Sequence, residues 1–344
     1  MNEQQWDTLV RVINGEKTKE RPVGFIIDSP WIPGWYNISY MDYFSGSDLW
    51  FEANKKAVET FPDVMFLPGF WSEFGMCTEP SAFGSKMTWL ENDLPHAGKI
   101  FTEASAFAGI EKPNVKTDGL LPFMLKRLAH NQPKIQAMGH EVKFAVSRGP
   151  LNIASFLMGT TEFMMALTLS PEESARGLAT ITDFIIDWVE LQMKTFPSIE
   201  GIFLLDDIVG FVGEPEFEAF VLPALKKIYS SFPAKVKFFH NDSFGLINAK
   251  YLEEIGINLF NFSYNHSLPE IRELAGPNVT LLGNIPPLEV MSQGSEQDVT
   301  EAVHQAMNSI KDHSRIIWSC GGGMPQNVST ANIEAFARVV NNRY

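Results

Sequence analysis

The sequence predicts an α/β protein built as a (β/α)8 barrel, and three observations carry the prediction. Eight short apolar runs recur along the 344 residues, each followed by a stretch with helical spacing. The runs are apolar throughout rather than alternating, which is how strands buried on both faces of a parallel sheet read. No glycine-rich phosphate turn follows the first run, so the signature of the alternative, an open doubly wound sheet, is missing. The length suits one large α/β unit, and residues 1–344 are expected to form a single barrel domain with an N-terminal extension and long rim loops.

In chain order, an amphipathic helix is predicted from Gln4 to Ile13, with Trp6, Leu9, Val10 and Ile13 at helical spacing. Val23–Ile27 reads as the first buried strand and delivers Asp28. The segment after it holds Pro30 and Pro33 and reads as an irregular aromatic loop, either a pocket wall or a clamp over the rim. A helix follows over about Asp48 to Thr60, then a second strand, Val64–Leu67. Residues 77–105 read as short irregular strands and turns, and Leu120 to His140 as a helix interrupted at Pro133. The third strand, Val142–Ser147, ends at Arg148.

Helices are predicted over 151–168 and 171–195. The second opens with Pro171-Glu172-Glu173, a proline at the first position and acids near the positive end. Ile202–Leu205 is the fourth strand and delivers Asp206 and Asp207. A helix over Glu216 to Ser230 leads to the fifth, from Val236 through His240 to Asp242. The sixth, Ile257–Asn261, the seventh, Val279–Asn284, and the eighth, Arg315–Ser319, follow the same rhythm, with helices predicted around 246–255 and 295–310. The eighth runs into Cys320 and Gly321-Gly322-Gly323, and Ser329 or Thr330 caps a final helix through Val340.

Bulk composition narrows the function. The chain is 45% hydrophobic and 20% charged, as suits a soluble protein with a sizeable core. Its net charge of -14 argues against nucleic acid and anionic membranes as partners, and against a highly anionic substrate unless local arginines compensate. Cys77 and Cys320 do not make a disulfide framework. The first residues lack the order of a signal peptide, and no apolar run reaches the roughly 18 residues of a membrane span. A cytoplasmic protein is expected. The sequence allows a homodimer without specifying one.

In a barrel, chemistry gathers at the carboxyl ends of the strands. That rule collects Asp28, Arg148, Asp206, Asp207, His240, Asp242, Asn261, Asn284 and Cys320 on one rim. His240 and Asp242 lie two apart on an extended backbone, so both leave on the same face and can ligate a metal or work as an acid–base couple; a helix cap is the plainer use of Asp242. Asp206 and Asp207 can hold a metal, a cationic group or a proton, or cap backbone amides. Arg148 can hold an anion or make an ordinary salt bridge. Cys320 joins His240 and Asp242 as a candidate zinc ligand, although a lone strand-end cysteine is more often buried and inert. The three glycines can present amides to an anion or simply turn the chain.

These residues also carry a resemblance. The chain shows Ala82-Phe83-Gly84 leading to Met87-Thr88-Trp89-Leu90-Glu91-Asn92-Asp93, then Gly149-Pro150-Leu151, Asp206-Asp207, Pro215-Glu216-Phe217, His240, Gly283-Asn284-Ile285 and a closing Gly-Gly-Met-Pro. In that order they resemble the uroporphyrinogen decarboxylase superfamily, which includes cobalamin-dependent methyltransferases. The resemblance covers nearly the whole chain and implies the same barrel. The decarboxylases hold a carboxylated tetrapyrrole with arginines just after the first strand; here that segment has no arginine and one acid, Asp28. The methyltransferases carry a zinc-binding His-x-Cys pair, which here reads His240-Asn241-Asp242, and a cysteine after the last strand, near Cys320.

The resemblance therefore implies a corrinoid-dependent methyltransferase. Zinc or another divalent metal would sit at His240, Asp242 and Cys320. Asp206, Asp207 and His240 would be catalytic. Asp28, Trp31, Tyr36, Arg148, Asn261 and Asn284 would meet the substrate, with Trp35, Phe70 and Trp71 as further aromatic lining. The cobalamin is expected on a partner corrinoid protein, with a small-molecule methyl donor or acceptor. The alternatives are a decarboxylase-like lyase acting on a carboxylated substrate, and a silent barrel that only binds a corrinoid or porphyrin.

Overall fold

The computed structural model describes residues 1–341. Its strands are β1 (Gly24–Ile26), β2 (Met65–Leu67), β3 (Met87–Thr88), β4 (His96–Ala97), β5 (Phe144–Arg148), β6 (Gly201–Leu205), β7 (Val236–Asn241), β8 (Leu259–Phe262), β9 (Thr280–Ile285) and β10 (Ile316–Cys320). β5 to β10 lie side by side in sequence order, all parallel, and β1 pairs in parallel with β2. A parallel bridge between Val23 and Trp318 joins the two sets, so the eight predicted strands wrap into a barrel. The antiparallel hairpin β3–β4 stands apart from the wall, within the segment expected to be irregular.

Among the described residues β2 and β5 share no ladder, and side chains serve the free edge of β5 instead. Gln192 accepts from the Val146 amide (3.0 Å) and donates to its carbonyl (2.9 Å), and Glu79 accepts from the Arg148 amide (3.1 Å). An edge strand satisfied this way exposes no backbone row to another chain.

Side-chain alternation divides the wall into two layers. Phe203, Phe238, Leu259, Leu282 and Ile317 point into the barrel and form one buried cluster; Phe203 and Phe238 stack with centroids 4.0 Å apart. Their neighbours Leu204, Phe239, Phe260, Leu281 and Trp318 face the helices in a second, larger cluster. Trp6, Leu9, Val12 and Ile13, from the helix Glu3–Ile13, belong to the inner cluster, with Trp6 set edge-on to Phe144 at 5.5 Å. That helix plugs the end of the barrel where the strands begin, and leaves the other end as the mouth.

Three expectations need correction. The aromatic loop contains a short helix, Ile32–Tyr36, because Pro33 falls in its first turn, where no amide hydrogen is required. The helix expected over 151–168 is two helices, Pro150–Met158 and Thr160–Leu169, broken at Gly159 with φ 91°. Pro133 sits within the helix Leu121–Ala137 without ending it. No described helix is long and apolar enough to cross a membrane.

Candidate metal centre

His240 is the last inward-facing residue of β7, and two residues further along the same face comes Asp242. On the neighbouring β6, alternation turns Leu205 inward and, two residues on, Asp207. These three converge. His240 Nε2 lies 3.4 Å from Asp207 Oδ1 and 3.8 Å from Asp242 Oδ2, and the three ligand atoms all fall within 4.8 Å of one another. The Asp242 amide donates to Asp207 Oδ1 at 3.2 Å, which ties the two loops together. His240 is 5% exposed, whereas Asp207 is half-buried and Asp242 faces solvent. The result is a two-carboxylate, one-imidazole set with a buried nitrogen and an open side, compatible with a divalent ion held by three side chains.

The far side of the ring is held from β8. Asn261, fully buried, pairs in register with His240, and its Oδ1 lies 2.7 Å from His240 Nδ1. Its Nδ2 donates to the carbonyls of Leu282 on β9 (2.7 Å) and Cys320 on β10 (3.1 Å).

A second polar group stands at the mouth on β5, next to β6, and on the segments after β1 and β2. Buried Arg148 reaches from β5 toward Glu73, 3.9 Å away, with its guanidinium 5.5 Å from the centre of the Trp71 ring. Glu73 Oε1 accepts from Ser29 at 2.7 Å, while its other oxygen is buried without a hydrogen-bond partner. Asp28, at the end of β1, belongs to the same group. Burial and the neighbouring Glu73 push its carboxyl up to about 7, against the opposing pull of Arg148 and His240. Burial likewise raises Glu73 and Glu79, with Arg148 working against it. Arg148 is thus engaged by acids of its own chain. Glu73 and Glu79 escaped the sequence reading because they lie in loops and a short helix after β2, where no periodicity marks a site.

Several expected site residues have other work. Asp206, one step before Asp207, faces outward, fully buried, and its Oδ2 accepts from the Leu151 amide at 2.9 Å, in the first turn of the helix Pro150–Met158. Gly149 is glycine for the same reason: a Cβ there would stand 2.3 Å from that oxygen. Burial raises the Asp206 carboxyl well above its ordinary range. Cys320 also faces outward and packs in the larger apolar layer; its thiol is not among the clustered ligand atoms, and burial pushes that thiol up, away from the thiolate a metal takes. Only its backbone carbonyl serves the site, through Asn261.

The aromatics divide the same way. Trp31 is fully buried in the outer layer, donating to the Val328 carbonyl at 3.0 Å, and Tyr36 packs against that layer. Trp35 stacks on Trp31 at 4.9 Å and Phe70 on Phe51 at 5.9 Å, so of these aromatics Trp71 alone turns inward. Asn284 donates to the His266 carbonyl and fastens β9 to the loop after β8. The glycine run meets a carboxylate rather than an anion cradle: at Gly322, φ 140°, a Cβ would lie 2.8 Å from Asp242 Oδ2.

Comparison with known proteins agrees with this architecture. The family model described as Uroporphyrinogen decarboxylase (URO-D) matches residues 4–343. The uroporphyrinogen decarboxylase of Dichelobacter nodosus is 22% identical across 97% of this chain and 96% of its own length. The Homo sapiens uroporphyrinogen decarboxylase is 21% identical across 76% of this chain and 73% of its own. Among solved structures, a methyltransferase from Methanosarcina mazei superposes with a TM-score of 0.82 at 16% identity, over 97% of both chains. The chain belongs to the uroporphyrinogen decarboxylase family.

Proposed function

With that membership as the premise, we propose that the chain is a corrinoid-dependent methyltransferase, a single barrel domain that moves a methyl group between a small substrate and a cobalamin carried by a partner protein. The observation that carries the reading is the convergence of Asp207, His240 and Asp242 at the mouth. It keeps the histidine of the family's methyltransferase motif and replaces cysteines with carboxylates. A divalent ion held by these residues, zinc or a harder metal, supplies a Lewis acid that makes an oxygen or sulfur nucleophile available at neutral pH. Two carboxylates and one imidazole form a harder set than a thiolate site, which favours an alcohol or methyl ether over a thiol.

Two further features support the choice. A multiply carboxylated tetrapyrrole needs free cations, and this mouth offers few: Arg148 is engaged by Glu73, and residues 28–36 contain no arginine. The exposed side chains Phe211, Phe244, Tyr264 and Leu288 stand on the successive segments that follow β6, β7, β8 and β9, at the same end of the barrel as the three candidate ligands. They offer an apolar fringe against which a corrinoid-bearing partner can seat.

The test is metal analysis of protein purified without chelator, followed by visible spectroscopy with methylcobalamin and a panel of small alcohols, methyl ethers and thiols. A stoichiometric divalent ion and a metal-dependent change in the cobalamin spectrum are expected. Metal-free protein that instead releases carbon dioxide from a carboxylated tetrapyrrole would overturn the reading in favour of a lyase. Binding without turnover would leave only a carrier.

A further inference from the structure

We infer that Asn261 is a positioning residue: it fixes the proton of the His240 ring on Nδ1 and so reserves Nε2 as the donor to a divalent cation. The inference rests on the metal reading above but follows from different contacts. The two ends of an amide side chain are told apart by their partners. The Asn261 Nδ2 faces two backbone carbonyl oxygens, of Leu282 and Cys320, at 2.7 and 3.1 Å. Turned over, the amide would set its own oxygen against both, three acceptors with no hydrogen among them, in a fully buried place. The orientation is therefore settled by β9 and β10. Oδ1 is left facing His240 Nδ1 at 2.7 Å and can only accept.

The consequence appears on the other side of the ring. A neutral imidazole protonated at Nδ1 presents the Nε2 lone pair to Asp207 at 3.4 Å and Asp242 at 3.8 Å. A lone pair against two carboxylates is unfavourable until a cation stands between them. Without Asn261 the ring can take the other tautomer, donate from Nε2 to Asp207, and satisfy the cluster with no metal at all. Asn261 removes that escape for the neutral ring, leaving Nε2 to a second proton or a metal ion, and a buried amide spanning the wall from β7 to β10 gives the ring a single orientation.

The test uses the full chain and zinc as the probe. In the metal-free wild type, long-range proton–nitrogen spectra of the imidazoles, with His240 identified by the signal lost in His240→Gln, are followed upward in pH until the ring pattern stops changing. The expected pattern is the neutral tautomer protonated at Nδ1; a pattern protonated at Nε2 overturns the inference. Zinc affinity by calorimetry is then compared across variants. Asn261→Leu, which removes the acceptor, is expected to weaken zinc roughly 10–100-fold. Asn261→Asp keeps the acceptor while losing both carbonyl contacts, and is expected to stay within a few-fold of wild type. Equal loss in both variants would make Asn261 merely structural and overturn the proposal. If neither variant folds, the wild-type spectrum decides alone. A wild type protonated at Nδ1 that takes no zinc would sink the metal reading and leave the role of Asn261 on the ring standing.

Discussion

Asp206 and Asp207 are consecutive, identical in residue type and set at the end of one strand, yet they serve opposite layers of the wall. Asp206 turns outward, is sealed from water and holds a helix terminus. Asp207 turns inward, stays partly wet and meets His240. On β10 the same split places Ser319 opposite in sense to Cys320, whose thiol packs among apolar side chains. The contrast teaches that residue type at a strand end says little until the side of the sheet is known. A step of one residue separates scaffold from chemistry. The inward layer is itself divided, because Arg148, Glu73 and Asp28 form a charge group already satisfied largely within the chain.

That last division gives the largest expected effect. Arg148→Met removes the main cation facing buried Glu73 and Glu79, with Arg127 left near Glu73, and should cost about 3–5 kcal/mol in urea unfolding. A loss under about 1 kcal/mol would show that the arginine is free for a ligand. Next, Asp207→Asn should weaken zinc beyond the roughly 100-fold ceiling for a residue that only supports a ligand, with little change in melting temperature. Asp206→Ala should do the reverse, lowering stability by about 0.5–2 kcal/mol through the lost amide contact while zinc affinity holds. Swapped outcomes for these two aspartates would break the inner and outer distinction outright.

A smaller effect is expected from pH. The Asp28 carboxyl is raised to about 7 from an ordinary 3.8. Between those values the folded chain keeps a proton that the unfolded chain has released, so this group's contribution to stability falls as pH rises across that window. Asp28→Asn should therefore gain stability relative to wild type at pH 8 and lose that advantage near pH 4, as read from unfolding at each pH. The smallest change belongs to Cys320→Ala: unaltered zinc affinity and a stability loss on the order of 1 kcal/mol for the buried sulfur.

Much of the barrel was legible because strands buried on both faces leave an apolar signature that no loop imitates. All eight predicted runs are wall strands, and His240 and Asp242 were placed together by the two-residue repeat alone. The same repeat, carried along β10 from Ile317, would have turned Cys320 outward, but the resemblance to a two-cysteine zinc site outweighed it. Asp207 was read as catalytic, or with Asp206 as a pair able to hold a metal, but not as the neighbour of His240, since a neighbouring strand's register is not written in either strand's own sequence. Trp31 and Tyr36 misled because two prolines suggested an open loop, whereas a proline in a first turn starts a helix. Glu73 and Glu79 gain their importance only from Arg148, far along the chain, a pairing that local pattern cannot reveal.

The stoppered floor has a kinetic consequence. With Trp6 and Leu9 filling the far end, whatever reaches His240 comes in by one doorway and goes out by it. On the proposed reading the methyl group passes directly from donor to acceptor with no residue of the chain holding it in between, so both must stand at that doorway together. Initial-rate plots at varied concentrations of both should therefore intersect rather than run parallel.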